Sequence, residues 1–199
     1  MACETRQPPS PAPVEPQAAA PGRPFARLRL GDRLYVEAVL TDVFGPSIAS
    51  DLKTDIRSNP AVFGGSCNLY EQVFTDDGTP LIGLEDEATG CLGGMPALNH
   101  PLVGSSSTLR AGWLAKICRS ATNRPAAVRF ALADAFPDGT LGPPNTRALK
   151  VAFQKFFPER ELPAAVAKAL LAIAPTAKPE ERWKLILNAL CLTPDWQIP

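Results

Sequence analysis

Seven prolines fall between Pro8 and Pro24. Each fixes its own φ, lacks an N–H donor and biases the residue before it toward extended backbone. Such a stretch cannot enter a helix interior or a central strand. It is expected to run as solvated polyproline II, rising about 3.1 Å per residue. Residues 1–24 are therefore read as a tether and residues 25–199 as a single helical domain. That remainder is long enough to bury a core of its own.

Cys3 gives the tether an anchor. A cysteine that follows Ala2 and precedes a Pro/Ala-rich spacer matches the mature start of a bacterial lipoprotein. Cys3 is the expected lipid attachment site. This places the domain in the periplasm as a membrane-anchored lipoprotein, with the outer membrane favoured. A signal peptide would precede Cys3, and Met1 would be an added start residue or the last remnant of that peptide. The rival reading is a cytosolic protein with an unstructured N-terminus and a chance cysteine. The chain contains no apolar run of the roughly 18 residues that a membrane-spanning helix requires.

Net charge is zero but unevenly spread. Residues 1–100 carry 13 acidic and 7 basic side chains, and residues 101–199 carry 7 acidic and 13 basic. Either the two halves neutralise each other within one fold, which is the preferred account, or the basic half meets anionic lipid headgroups. The basic residues are dispersed rather than clustered, which argues against a nucleic-acid partner.

Setting Cys3 aside leaves Cys67, Cys91, Cys118 and Cys191. An even number outside the cytoplasm suggests two disulfides. Three pairings are open, and Cys67–Cys91 with Cys118–Cys191 is preferred. The first would staple a segment with little regular structure. The second joins two apolar helix faces. Zinc is disfavoured, because no C-x-x-C pair and only one histidine are present. No metal or other cofactor is expected.

The helix signals are strong at both ends of the domain. Asp32 is placed to cap a helix running to Phe44, with Leu34, Tyr35, Ala38, Val39 and Val43 on one face and Gly45-Pro46 as its stop. A short helix is expected over 47–58, ended by Asn59-Pro60. Residues 60–106 are irregular, interrupted by glycines throughout. Within them, 69–84 reads either as a hairpin around Asp77-Gly78 or as a helical turn followed by coil.

From Ser107 onward, apolar residues recur at helical spacing. Trp113, Leu114, Ile117, Cys118 and Ala121 form the first stripe, capped by Ser107 or Thr108. Asn123 is the expected cap of the next, with Pro125 in its first turn and Val128, Leu132 and Ala135 inward. Asn145 caps a third, carrying Leu149, Ala152, Phe153, Phe156 and Phe157. Pro163 opens a fourth, with Val166, Ala167, Leu170, Leu171 and Ala174 inward. Pro179 opens the last, with Trp183, Ile186, Leu187, Leu190 and Cys191 inward. Helices of this length joined by short, Pro-marked turns predict an all-α fold, a compact antiparallel bundle with a long disulfide-stapled Gly-rich loop region.

The segment Arg29–Gly45, with Tyr35, Asp42 and Phe44-Gly45, resembles the opening of helical domains of unknown function. Those domains accompany c-type cytochrome modules in planctomycete-like and myxobacterial surface proteins. The segment Glu181–Trp196, with Trp183, Ala189-Leu190 and Pro194-Asp195-Trp196, is similar to a helix near their end. This chain lacks the C-x-x-C-H haem attachment site. What the resemblance implies is an extracytoplasmic helical scaffold.

No catalytic signature stands out. His100 lies between Asn99 and Pro101, near Ser105, Ser106 and Ser107, with no G-x-S-x-G elbow. It reads as a loop histidine with local hydrogen bonds. Asp76, Asp77, Glu85, Asp86 and Glu87 fit no EF-hand spacing and read as a solvated acidic loop rather than a Ca²⁺ site. No enzyme is expected.

The aromatics are the remaining signal. Trp113, Trp183 and Trp196, with Phe153, Phe156 and Phe157, either fill the core or line a cavity between helices. The expected apolar cleft has Trp113, Phe153, Phe157, Trp183 and Leu187 as walls. The expected function is a lipid-anchored periplasmic binding protein for a hydrophobic ligand. A sterol- or hopanoid-like lipid carried between membranes is the favoured cargo. The alternative is a structural or interaction subunit docked on an outer-membrane or cytochrome complex.

Overall fold

A computed structural model describes residues 30–65, 91–92, 95–96 and 106–198. The described fold is helical. Helix α1, Arg33–Phe44, begins where the Asp32 carboxylate accepts a hydrogen bond from the Tyr35 amide at 3.0 Å. It ends at Gly45, whose φ of 73° turns its amide onto the Thr41 carbonyl. A Cβ there would stand 2.6 Å from the Phe130 ring, so both the turn and the close contact demand glycine.

The buried face of α1 differs from the expected one. Val36, Leu40, Val43 and Phe44 are fully buried, whereas Leu34 is 38 % exposed, Ala38 is exposed and Tyr35 and Val39 are half-buried. Positions 34–44 are apolar nearly all round, so the pattern offered two stripes. The elements packed on α1 selected the one at offsets of 0, 4, 7 and 8.

Residues 46–57 are helical at three successive pitches. A 3-10 turn, Pro46–Ile48, leads into α2, Ala49–Leu52, and then a π turn, Lys53–Arg57. The π turn closes through the Ser58 amide on the Lys53 carbonyl, 3.0 Å. Ile48, Leu52 and Ile56 all point inward from it. Asn59 does not simply terminate the segment. Its side-chain amide donates to the Thr54 and Asp55 carbonyls, and a further turn, α3, Pro60–Phe63, follows.

Beyond α3, Cys91–Leu92 pairs antiparallel with Met95–Pro96 as β1 and β2. The hairpin expected over 69–84 lies outside the described residues, as does Cys67 of the Cys67–Cys91 pair.

Helix α4, Thr108–Asn123, is capped by Ser107, which accepts from the Arg110 amide at 3.0 Å. The expectation that Asn123 caps the next helix is corrected, because Asn123 is the last residue of α4. Arg124 is the N-cap of α5, Pro125–Ala131, and offers no side-chain cap bond. Its guanidinium instead spans to Asp51, with Nη2 at 2.7 and 2.8 Å from the two carboxylate oxygens, and to the Ser47 carbonyl. Interhelical charge pairing has replaced local capping.

Helix α6, Thr146–Phe156, is capped by Asn145 as expected, with the Ala148 amide 3.0 Å from its side-chain oxygen. In α7, Ala164–Leu171, Ala167 and Leu170 are buried, but Val166 is 38 % exposed and Ala174 lies beyond the helix end. This short helix packs chiefly on α6, so it needs only a narrow apolar stripe. Helix α8, Pro179–Leu192, buries Trp183, Ile186, Leu187, Leu190 and Cys191, as its periodicity predicts.

The longest two helices, α4 and α8, make the most extensive contact in the fold. Cys118 and Cys191 cross-link them, with Cα atoms 5.8 Å apart. This expected pairing is present. It closes a loop between residues 73 positions apart. Restricting such a loop in the unfolded chain is worth about 4 kcal/mol in the chain-entropy account. Replacing both cysteines by alanine is expected to lower the unfolding free energy by about that amount. Urea denaturation of the oxidised protein against the double variant checks this.

Candidate functional site

Both ends of the described domain meet at one buried cation. Arg110 is 1 % exposed, although it projects from the first turn of α4. Its Nη2 donates to the Gly31 carbonyl at 2.7 Å, its Nη1 to the Phe63 carbonyl at 3.3 Å and its Nε to the Gln197 side-chain oxygen at 3.0 Å. The guanidinium also lies 4.9 Å from the centre of the Phe63 ring. Burial pushes its pKa down to about 10, opposed by the attraction of Asp32. It therefore remains charged at neutral pH. The Gly31 amide donates to the Gln197 carbonyl, which locks the entry to α1 against the 3-10 turn Pro194–Gln197.

Beside this junction lies an aromatic cleft of about 430 Å³. Tyr35, Phe156, Phe157 and Trp196 line it, with Arg160, Asp195 and Ile198 among its other residues. The Tyr35 hydroxyl donates to the Trp196 carbonyl at 2.8 Å, and the Trp196 indole N–H to the Cys191 carbonyl at 2.8 Å. The rings are braced from behind. Phe156 meets Phe44 edge-on at 6.0 Å and Trp196 at 6.1 Å, and Phe157 stacks on Phe153 at 4.6 Å. Arg160 sits 5.6 Å over the Phe157 ring and 3.8 Å from the Asp195 carboxylate. Glu159 lines the cleft beside this pair, so its rim carries two acids and one base. The site is a partly open cleft with largely buried aromatic walls and a charged rim, suited to binding.

The residues expected to wall a cleft are not all together. Of the five, Phe157 lines the aromatic cleft and Phe153 backs it. Trp183 and Leu187 are fully buried in the core, and the Trp183 indole N–H donates to the Gly142 carbonyl at 2.9 Å. Trp113 lies apart on α4. There it shares a shallow apolar hollow with Leu109, Gly112 and Lys116, whose ammonium is 4.8 Å above its ring.

Sequence pattern alone did not mark Tyr35, Arg160 or Asp195 for the site. A helix-facing tyrosine and two surface charges carry no signal until the chain ends converge. His100 and the acidic stretch 76–87 lie outside the described residues, and Ser107 serves as a helix cap. Among the described residues no group of three or more His, Cys, Asp or Glu side chains is placed to hold a metal. No described helix is long and apolar enough to cross a membrane.

No family model, curated protein or solved structure matches the chain.

Replacing Arg110 by methionine keeps the bulk but strands three buried acceptors. The variant is expected to lose about 2–4 kcal/mol of stability. The folded-state pKa, about 10, lies below the ordinary guanidinium range, so the folded form releases its proton first. Linkage then adds stability only as pH rises above about 10. The difference between wild type and Arg110→Met is therefore expected to stay level from about pH 6 to pH 9, measured by denaturant unfolding across that range.

Proposed function

We propose that this chain is a non-enzymatic binding protein for a hydrophobic ligand, held at a membrane by lipid on Cys3 and a proline-rich tether. In this reading the helices form a compact antiparallel bundle, with the Gly-rich segment between residues 60 and 106 as its stapled loop. The compartment is the periplasm, the anchoring membrane is the outer one, and the cargo is a sterol- or hopanoid-like lipid moved between membranes. One observation carries the reading. Four aromatic side chains converge on a cleft of about 430 Å³, a volume in the range of small-molecule sites. That cleft adjoins Gly31, close to where the tether joins the domain. A ligand leaving the bilayer would thus meet the cleft at the domain's membrane-tethered end.

A second reading, an accessory subunit docked on an outer-membrane or cytochrome complex, has its own support. Trp183 and Leu187 belong to a filled core rather than a hollow one, and the apolar hollow on α4 leaves Leu109 59 % exposed. Such a surface suits a protein partner.

The test is organic extraction of the full chain from its native host, followed by titration with a fluorescent sterol. Co-purified lipid and saturable binding are expected. Ile198, at the cleft and 36 % exposed, can be changed without opening the core. Ile198→Glu is expected to weaken sterol binding about tenfold, or ~1.4 kcal/mol. Absence of both bound lipid and sterol binding would overturn the carrier reading in favour of the docked subunit.

A further inference from the structure

A separate cleft lies on another face of the domain, between α5, the loop after it and the first turns of α8. Its volume is about 250 Å³, and it is more enclosed than the aromatic cleft or the hollow on α4. Pro125, Val128 and Leu141 give it an apolar lining, and Arg129, Glu180, Lys184 and Thr140 supply polar groups. We propose that this cleft binds a small amphipathic carboxylate, its apolar body against Val128 and Leu141 and its carboxylate on Arg129.

The charges decide the sign of the ligand. Two cations and one anion line the cleft. The Lys184 ammonium is already engaged, 2.7 Å from Glu181. Among the described residues Arg129 makes neither an ion pair nor a side-chain hydrogen bond. An unengaged guanidinium is a planar fork that matches a carboxylate with two parallel hydrogen bonds. Glu180 sits in the first turn of α8, where the positive helix end offsets its charge, so Arg129 is the charge left to a ligand: it disfavours a cation, and a neutral ligand would leave the fork unused.

The wall opposite α8 is built in advance. Gly139 adopts φ 76° and its amide donates to the Phe136 carbonyl at 3.0 Å. The Thr140 amide donates to the Asp138 carboxylate at 3.1 Å. The Gly142 carbonyl accepts from the Trp183 indole, and Phe136 meets Trp183 edge-on at 5.9 Å. A loop fixed by these contacts costs little to order when a ligand arrives. The volume lies just below the roughly 300–1,000 Å³ of drug-sized pockets, which selects a medium-chain or aryl carboxylate over a whole lipid.

Calorimetric titration of the full chain at neutral pH with octanoate, octanol and octylammonium tests the proposal. Octanoate is expected to bind at least ten times more tightly than octanol, with octylammonium weakest. Amide shifts at Gly139 to Leu141 and at the Trp183 indole should report the octanoate site. Arg129 is exposed, so Arg129→Gln is expected to fold normally, lose about tenfold in octanoate affinity and leave octanol unchanged. Leu141→Ser is expected to weaken both. Ile198→Glu, in the aromatic cleft, is expected to leave octanoate binding intact, which keeps this site distinct from the carrier reading. Three results would each overturn the proposal: no binding of octanoate, equal binding of all three probes, or octanoate binding abolished by Ile198→Glu.

Discussion

A guanidinium buried under the chain ends is costly to desolvate, and the fold offsets that cost with hydrogen bonds that nothing else could make. Two acceptors of Arg110 are the backbone carbonyls of Gly31 and Phe63, where the chain enters or leaves a helix, and the third is the Gln197 side-chain oxygen. A hydrocarbon of the same volume would fill the space and strand all three. One side chain on α4 thus fixes where α1 begins, where α3 ends and where the C-terminal turn packs. The arrangement of the aromatic cleft follows from it, because Tyr35 and Trp196 belong to the segments that Arg110 holds together.

The second constraint is the α4–α8 pair. These are the two longest described helices, and they share the Cys118–Cys191 bond. Around them the shorter elements are joined by charge pairs that reach across the sequence. Arg124 reaches Asp51, Lys116 reaches Asp55 and Lys155 reaches Asp134. The first two join a basic residue of the second half to an acidic residue of the first. The charge asymmetry of the chain is in part consumed inside the fold, as the simpler account of it held.

The two proposed sites differ in character. The aromatic cleft is larger and more open, with Glu159, Arg160 and Asp195 on its polar edge. The cleft between α5 and α8 is small and enclosed, and it contains an unengaged cation. The two clefts share no lining side chain, so each can be tested by substitutions that leave the other untouched.

Local rules reached a long way into this chain. Asp32, Ser107 and Asn145 cap helices because each offers an oxygen to the amide three residues on, a relation written in three or four consecutive letters. The stripes of α6 and α8 follow from a period that the sequence states outright, and the same period set Cys118 and Cys191 on apolar helix faces, which favoured their pairing among three that were open. What it left open were choices among equivalent options. On α1, two apolar faces competed and the neighbours chose. At Arg124, a distant carboxylate displaced the local cap. Trp113 and Trp183 read alike as helical aromatics, yet one is half-buried at the edge of the core and the other fully buried within it, because burial depends on which helix stands opposite. The sequence by itself determined a helical domain and several of its helix caps and stripes, since caps, periods and proline act over one or two turns. Where its aromatics converge, and which arginine is buried where the two ends of the described domain meet, was decided only by tertiary structure, because those contacts join residues far apart in sequence, as Tyr35 and Trp196 at 161 positions, and no local pattern encodes them.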